Sequence, residues 1–149
     1  MATTQFKDLV FLTQTDTTIG FVSQNASKIS QIKQRPANKN YIKALPSLKA
    51  LKKNTRLPNR HKNRVRRAKR TSFIIKGNSY RVIKNHSHTL LLQRLGWAYT
   101  TSANLSGKDY DETFAQKYAD VIVSFPKNNQ KEQASKIYQL SNNRLKRIR

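Results

Sequence analysis

The apolar residues of this chain come in short bursts, and their spacing predicts strands and helices of modest length. Residues 8–14, DLVFLTQ, place Leu9, Val10, Phe11 and Leu12 in one run, the pattern of a buried strand. Residues 15–21, TDTTIGF, read as a polar loop. From 23 to 34, SQNASKISQIKQ sets Ala26, Ile29 and Ile32 at helical spacing, with Ser23 or Asn25 as N-cap. Pro36 stops that helix, because the residue before a proline avoids helical angles. YIKAL (41–45) predicts a strand, and PSLKALKK (46–53) a short helix with Pro46 near its first turn. TSFIIKG and NSYRVIK predict two strands joined around Gly77 and Asn78. NHSHTLLLQRLG (85–96) predicts a helix capped by Asn85 or Ser87 and ended by Gly96. Then follow a strand at 97–101, a helix at 112–119, strands at 120–125 and 136–140, and a basic tail, RLKRIR, that starts as a strand. Strands and helices alternate without strict order, which predicts an α/β (α+β) fold with a twisted, mixed, open sheet flanked by helices.

Composition narrows the partners. The 149 residues fit one domain over 1–149, and 30 Lys and Arg against 7 Asp and Glu give a net charge of +23. Such a chain favours a polyanion: nucleic acid, nucleotide phosphates or an anionic membrane. Between Asp16 and Asp109 there is no carboxylate. This removes a paired-carboxylate mechanism from the middle of the chain and argues against a protein-built Mg²⁺ or Ca²⁺ cage. With no cysteine, a disulfide framework, a thiol nucleophile and a cysteine zinc site are excluded. His86 and His88 are two apart and point to different sides of a helix, so no metal site is expected. No run reaches the ~18 apolar residues of a membrane span, and the first apolar run is too short for a signal peptide, so a soluble cytoplasmic protein is expected. Residues 53–70, KNTRLPNRHKNRVRRAKR, have almost no apolar content and predict an exposed basic loop or partly disordered arm. No aromatics interleave with the arm, so RNA is expected to meet it through backbone phosphates.

Three stretches carry candidate chemistry. TTSANLSG (100–107) delivers hydroxyls, an amide and loop N–H groups at a strand end. These suit a phosphate or a nucleotide sugar, or simply a cap and turn. IKQRP (32–36) sets Lys33 and Arg35 at a helix end, where cations are favoured in any case. TQTDTTIGF supplies Thr15, Asp16, Thr17 and Thr18 after the first strand.

In the order TDTTIG, KQRP, TSANLSG, these stretches resemble the YrdC-like family of threonylcarbamoyl-adenylate synthases, over residues 9 to 140 or so. The resemblance implies a twisted α/β sheet with a large positively charged cleft, and double-stranded RNA binding. It implies an enzyme of nucleotidyltransferase type that joins L-threonine, bicarbonate and ATP into threonylcarbamoyl-AMP for tRNA threonylcarbamoyladenosine. Mg²⁺ would be carried by ATP, and tRNA-modification proteins are implied as partners. By resemblance, Lys33 and Arg35 hold the ATP phosphates and the carbamate charge. Ser102 and Asn104 bind the nucleotide, and Thr15 and Thr17 line the threonine and bicarbonate side. Arg81 takes the threonine carboxylate, while Ser135 and Arg149 fall where the family has a Ser-Thr and an Arg. The chain departs from the family at Gln14, at Ile19, at NKNY (38–41) and between Leu51 and Lys76, where a Pro-Gly-Pro-x-Thr motif is absent. Those departures imply that part of the threonine pocket is missing or rebuilt. The alternative is a member that keeps a nucleotide or RNA cleft without the full reaction.

Overall fold

The computed structural model of the chain describes residues 5–36, 39–84, 86–123 and 135–149. Its centre is one mixed sheet. In chain order the strands are β1 (Phe11–Gln14), β2 (Ile19–Ser23), β3 (Ile42–Leu45), β4 (Thr71–Ile75), β5 (Asn78–Val82), β6 (Ala98–Ser102), β7 (Val121–Ile122), β8 (Lys136–Leu140) and β9 (Leu145–Arg147). The helices are α1 (Ala26–Lys33), α2 (Leu48–Asn54), α3 (Lys62–Arg67), α4 (His88–Leu95) and α5 (Glu112–Tyr118). Across the sheet the strand order is β7-β1-β2-β6-β3-β5-β4-β8-β9. The pairs β1–β7, β3–β5 and β4–β8 are parallel and the others antiparallel.

Side chains alternate between the two faces of a strand, and the core divides accordingly. On one face Phe11, Val22, Ala44, Ala98 and Ile83 pack under Leu91 and Leu92 of α4. On the other, Leu12 and Phe21 meet Ala115 and Phe114 of α5 and Ile32 of α1. The same face carries Leu45, Phe73, Ile75, Tyr80, Val82 and Leu140 beneath Leu51, Leu57 and Val65. With eight residues, α4 spans roughly 12 Å. It covers only part of its face and leaves open the end where Thr100, Ser102, Ile42 and Arg81 stand.

Local choices follow the sequence with some differences. Asn25 caps α1, its side chain accepting from the Lys28 amide at 3.1 Å. Ser47 rather than Pro46 heads α2, accepting from the Ala50 amide at 3.1 Å. The His88 amide donates to His86 Nδ1 at 3.0 Å, so a neighbouring imidazole begins α4; Asn85 lies outside the described residues. Gly96, at φ 85°, ends it. The β4–β5 turn falls one residue earlier than expected, on Lys76 and Gly77, both at positive φ. The strand expected at 120–125 is paired at Val121–Ile122, and residues 124 and 125 lie outside the described residues.

Two expectations need correction. The loop expected at 15–21 is confined to 15–18, because Ile19 to Phe21 already belong to β2. Gly20 permits this: a Cβ there would sit 2.8 Å from the Thr101 carbonyl oxygen of the neighbouring strand. The basic segment at 53–70 is neither loop nor disordered arm, since it holds α3 and a 3-10 turn at Asn59–His61. Its few non-charged anchors, Leu57, His61 and Val65, recur every fourth residue and are all buried. Leu57 ahead of the turn, His61 at its end and Val65 in α3 each put one side chain into the core, which is enough to seat the segment. The rest of the segment is largely exposed, with its cations outward.

Candidate functional site

The open end of the α4 face is a cleft of about 330 Å³. Three polar loops and the chain's last residues converge on it. Thr15, Thr17, Arg35, Arg81, Ser102, Ser135 and Arg149 all line it, with Tyr41 and Thr100.

The β1–β2 connection is folded by its own first residue. Thr15 Oγ1 donates to the Thr18 carbonyl at 2.6 Å and accepts from the amides of Thr17 and Thr18 at 3.3 and 3.2 Å. This turn aims Asp16 and Thr17 at β5. There, Arg81 NH1 donates to Asp16 Oδ1 and to Thr17 Oγ1, both at 3.1 Å. Arg81 Nε donates to Ser72 Oγ at 3.1 Å, and NH2 to Ser135 Oγ at 3.3 Å. The Asp16–Arg81 pair is largely removed from solvent, at 13% and 6% exposure. A buried guanidinium held on four sides is a fixed charge with a fixed orientation. Arg149 closes the ring, donating from Nε to the Ser135 carbonyl at 3.0 Å and from NH2 to Ser135 Oγ at 3.1 Å.

Arg35 enters from the other wall. Helix α1 ends with Gln34 in the left-handed region at φ 52°. The Gln34 amide bonds to the Gln31 carbonyl and the Arg35 amide to that of Ser30, the paired bonds of a Schellman turn. This turn swings Arg35 off the helix axis. Its guanidinium lies 4.6 Å from the Tyr41 ring centre, and its NH2 donates to the Asn40 carbonyl at 3.2 Å. Tyr41 is braced by a 2.8 Å hydrogen bond between its hydroxyl and Ser30 Oγ. Arg35 Nε is buried and has no hydrogen-bond partner among the described residues, so the group is under-satisfied there.

Lys33 and Asn104 do not line the cleft. Lys33 Nζ donates to the carbonyls of Ser102 and Asn104 at 2.6 and 2.9 Å, and the Ser106 amide returns a bond to the Lys33 carbonyl at 3.1 Å. Asn104 Nδ2 donates to the carbonyls of Leu105 and Lys108. These two residues therefore brace the SANLSG loop against the end of α1 and hold Ser102 at the cleft's edge. Burial, and then the nearby Arg35 charge, push the Lys33 ammonium down to about 8. From the sequence, Asp16 is named in the threonine loop without a partner, Thr100 enters only as part of the stretch 100–107, and Ser72 and Tyr41 are not singled out. The alternation of β3 and β6 is the signal that carries Thr100 into the cleft. Among the described residues no three His, Cys, Asp or Glu side chains gather as a metal site. Nor is any described helix long and apolar enough to cross a membrane.

A nine-stranded mixed sheet with an arginine-walled cleft beyond a short helix defines the class: this is the YrdC-like fold. No protein-family model matches the chain. Among solved structures it resembles Pyrococcus abyssi Sua5 complexed with L-threonine, with a TM-score of 0.73 and 19% identity, covering 95% of this chain and 50% of that one. It resembles Escherichia coli YciO with a TM-score of 0.69 and 19% identity, over 96% and 83% of the two chains. The phosphate- and nucleotide-bound form of HypF matches with a TM-score of 0.71 and 16% identity, over 95% of this chain and 26% of that one. Among curated proteins, the uncharacterized protein MG259 of Mycoplasma genitalium is 32% identical over 150 residues, and its Mycoplasma pneumoniae homolog 31% over 159. The chain spans about a third of the length of these curated relatives (32% in each case).

Proposed function

We propose that the cleft binds ATP beside L-threonine and bicarbonate and makes threonylcarbamoyl-AMP, a precursor for tRNA threonylcarbamoyladenosine. The observation that carries this reading is the convergence of Arg35, Arg81 and Arg149 on one hollow beside which, among the described residues, the nearby carboxylate Asp16 is already paired. The Sua5 structure is a complex with L-threonine and the HypF structure contains phosphate and nucleotide, which fits a cleft for small anionic substrates. In the proposed reaction the threonine amine and bicarbonate lose water to give a carbamate. A carbamate oxygen then attacks the α-phosphorus of ATP and releases pyrophosphate. Nothing in this needs an acid–base pair from the protein; it needs alignment and neutralisation of charge. Arg81, held in place, receives the amino-acid carboxylate. Arg35 and Arg149 face the phosphates, Ser102 supplies a hydroxyl, and Thr15 and Thr17 shape the carbamate side. Lys33 and Asn104 act as positioning residues through the SANLSG loop, and any Mg²⁺ comes with ATP.

Pyrophosphate release with and without L-threonine and bicarbonate tests this. Release should require both and should fall roughly 10- to 100-fold in Arg35→Ala, the loss of one charge-assisted contact of about 1.5–3 kcal/mol. A second reading, nucleotide binding without turnover, is favoured by one specific feature: Lys33 already spends its amine on backbone carbonyls. ATP binding in calorimetry with no pyrophosphate under any substrate mixture would select it.

A further inference from the structure

Across the sheet from the cleft, on the face that α1 and α2 cover, a second hollow of about 230 Å³ is left open. Lys43 stands opposite Tyr99 on β6 and Tyr80 on β5, so these three side chains form a row on one face. Ile42, Thr100 and Arg81, one residue along each strand, point to the cleft instead. Asn40 and Tyr41 line both hollows, and no other residue of this one lines the cleft. We propose that it is a second ligand site, for a nucleoside monophosphate, turned away from the cleft and independent of the cleft's chemistry.

Polar groups around this hollow are unspent. Tyr80 is 6% exposed, with its ring in the core beside Phe73 and Leu51, and its hydroxyl has no hydrogen-bond partner among the described residues. The Tyr99 hydroxyl has none among them either. Lys43 Nζ lies 4.2 Å from the centre of the Trp97 ring and 3.4 Å from Asn54 Oδ1, and it meets no carboxylate among the described residues. Burial holds its ammonium below its ordinary range. A buried hydroxyl without a partner and a half-buried cation without a counter-charge both cost free energy that a ligand recovers.

The lining selects the ligand. Among the described residues no Asp or Glu lines the hollow, and Lys39 joins Lys43 there, so the ligand carries negative charge. Tyr41, Tyr80 and Tyr99 supply ring surface, which suits a flat base. Ser27, Asn40 and Asn78 stand at the exposed rim with neutral donors and acceptors, which suit sugar hydroxyls. Base, sugar and one phosphate together make a nucleoside monophosphate. A bare anion would leave the rings unused, and a neutral ring would leave the lysines unpaired. Lys39, Asn40 and Tyr41 belong to NKNY, one of the stretches where the chain departs from the family, so the hollow draws on residues outside the shared motifs.

Trp97, the only tryptophan of the chain, reports on the hollow through Lys43. Titration with AMP, exciting Trp97 where nucleotides do not absorb, should give a saturable change with a Kd below about 1 mM, matched by calorimetry. Adenosine, inorganic phosphate and 4-hydroxybenzoate form the other arms in calorimetry, and each should bind at least about tenfold more weakly than AMP. Tyr80→Phe keeps the ring and should weaken AMP about 2- to 10-fold. Lys43→Gln, followed by calorimetry because it removes the neighbour of Trp97, should weaken it roughly 10- to 100-fold. Lys39→Gln alters only the exposed rim, where the fold is not at stake, and should weaken AMP measurably. In the cleft, Arg149→Ala should leave the Trp97 titration unchanged. The proposal falls if AMP gives no saturable binding, if both lysine variants bind it as the unaltered protein does, if Arg149→Ala abolishes the Trp97 response, or if any other arm binds as tightly as AMP. Circular dichroism melts confirm that each variant is folded. None of these readouts uses pyrophosphate release, so the reading of the cleft stands or falls separately.

Discussion

The cleft and the α2–α3 platform are both cationic, yet they use charge in opposite ways. In the cleft, Arg81 is buried and tied to Asp16, Thr17, Ser72 and Ser135, and Arg149 is tied to Ser135. On the platform, Arg64, Arg66 and Arg67 stand in solvent on a short helix. A buried, oriented guanidinium recognises one group in one place, and salt screens it little. Exposed, mobile cations recognise density of charge, and salt screens them strongly. The difference teaches that net charge is a poor guide to function until each cation is sorted by what already holds it. It also predicts that stability depends on one set of cations and not on the other.

The sharpest way to break the comparison is Arg81→Ala. Removing the guanidinium leaves Asp16 at 13% exposure without its partner and strips Thr17, Ser72 and Ser135 of a shared donor. Loss of one member of a buried pair costs about 3–5 kcal/mol. Urea unfolding at neutral pH should show a loss of that order, a large share of a typical domain's stability. Arg81→Lys keeps the charge but not the fork, and should recover only part. A loss under ~1 kcal/mol in Arg81→Ala would mean that the cleft's cations are no more structural than the platform's.

Gly20→Ala tests the cleft's floor rather than its charges. The added methyl would meet the Thr101 carbonyl oxygen at 2.8 Å and Thr15 Cγ2 at 3.2 Å. The first contact is with backbone, which yields little. Overpacking of this kind costs about 1–3 kcal/mol. Because β2 pairs Gly20 with Ser102, the strain should also displace Ser102 and weaken ATP binding. Melting temperature and nucleotide titration should therefore fall together; a melt that drops with unchanged nucleotide affinity would separate the floor from the site.

Much of the cleft was legible in the sequence, and what was not has a physical reason. The order of the threonine loop, the KQRP turn and the SANLSG loop placed Thr15, Thr17, Arg35 and Ser102 in one set before any coordinates. The orientation of Lys33 was not legible. A lysine at a helix end reads the same whether its amine faces a ligand or the carbonyls of a loop 69 residues away. The Asp16–Arg81 pair was hidden too, because its partners lie 65 residues apart and meet through the sheet order β2-β6-β3-β5. The basic segment misled because its charge drew attention from the fourfold spacing of Leu57, His61 and Val65.

His88 offers a pH-dependent test behind the cleft. It is fully buried, and among the described residues neither ring nitrogen has a hydrogen-bond partner. Burial, and then the charges of His86 and Arg81, push it down to about 3. In the unfolded chain a histidine takes its proton near pH 6.5, whereas in the fold His88 does not until about 3. Between these values the unfolded state binds more protons. Stability is therefore full above pH 6.5 and declines as pH falls toward 3. His88→Leu removes that proton uptake and the unpaired nitrogens, with a gain of about 1 kcal/mol at neutral pH and more at acid pH. Urea midpoints at pH 7.5 and 4.5, compared between the two proteins, check it. Parallel losses would assign the acid sensitivity to the carboxylates instead.

The smallest expected effect is the most telling for the comparison. Arg66→Gln/Arg67→Gln removes two charges from a chain of net charge +23. Arg66 gives up only an exposed 3.0 Å bond to Asn63 Oδ1, worth a few tenths of a kcal/mol on a helix surface. Against this stands relief of self-repulsion, which acts in the other direction. The net change in unfolding free energy should stay within about 0.5 kcal/mol, as for other surface substitutions. Raising the salt should shrink even that, since screening relieves the same repulsion in both proteins. A loss above ~2 kcal/mol would show that these guanidinium groups hold the platform together, and the division between charges that build the fold and charges left for a partner would no longer stand.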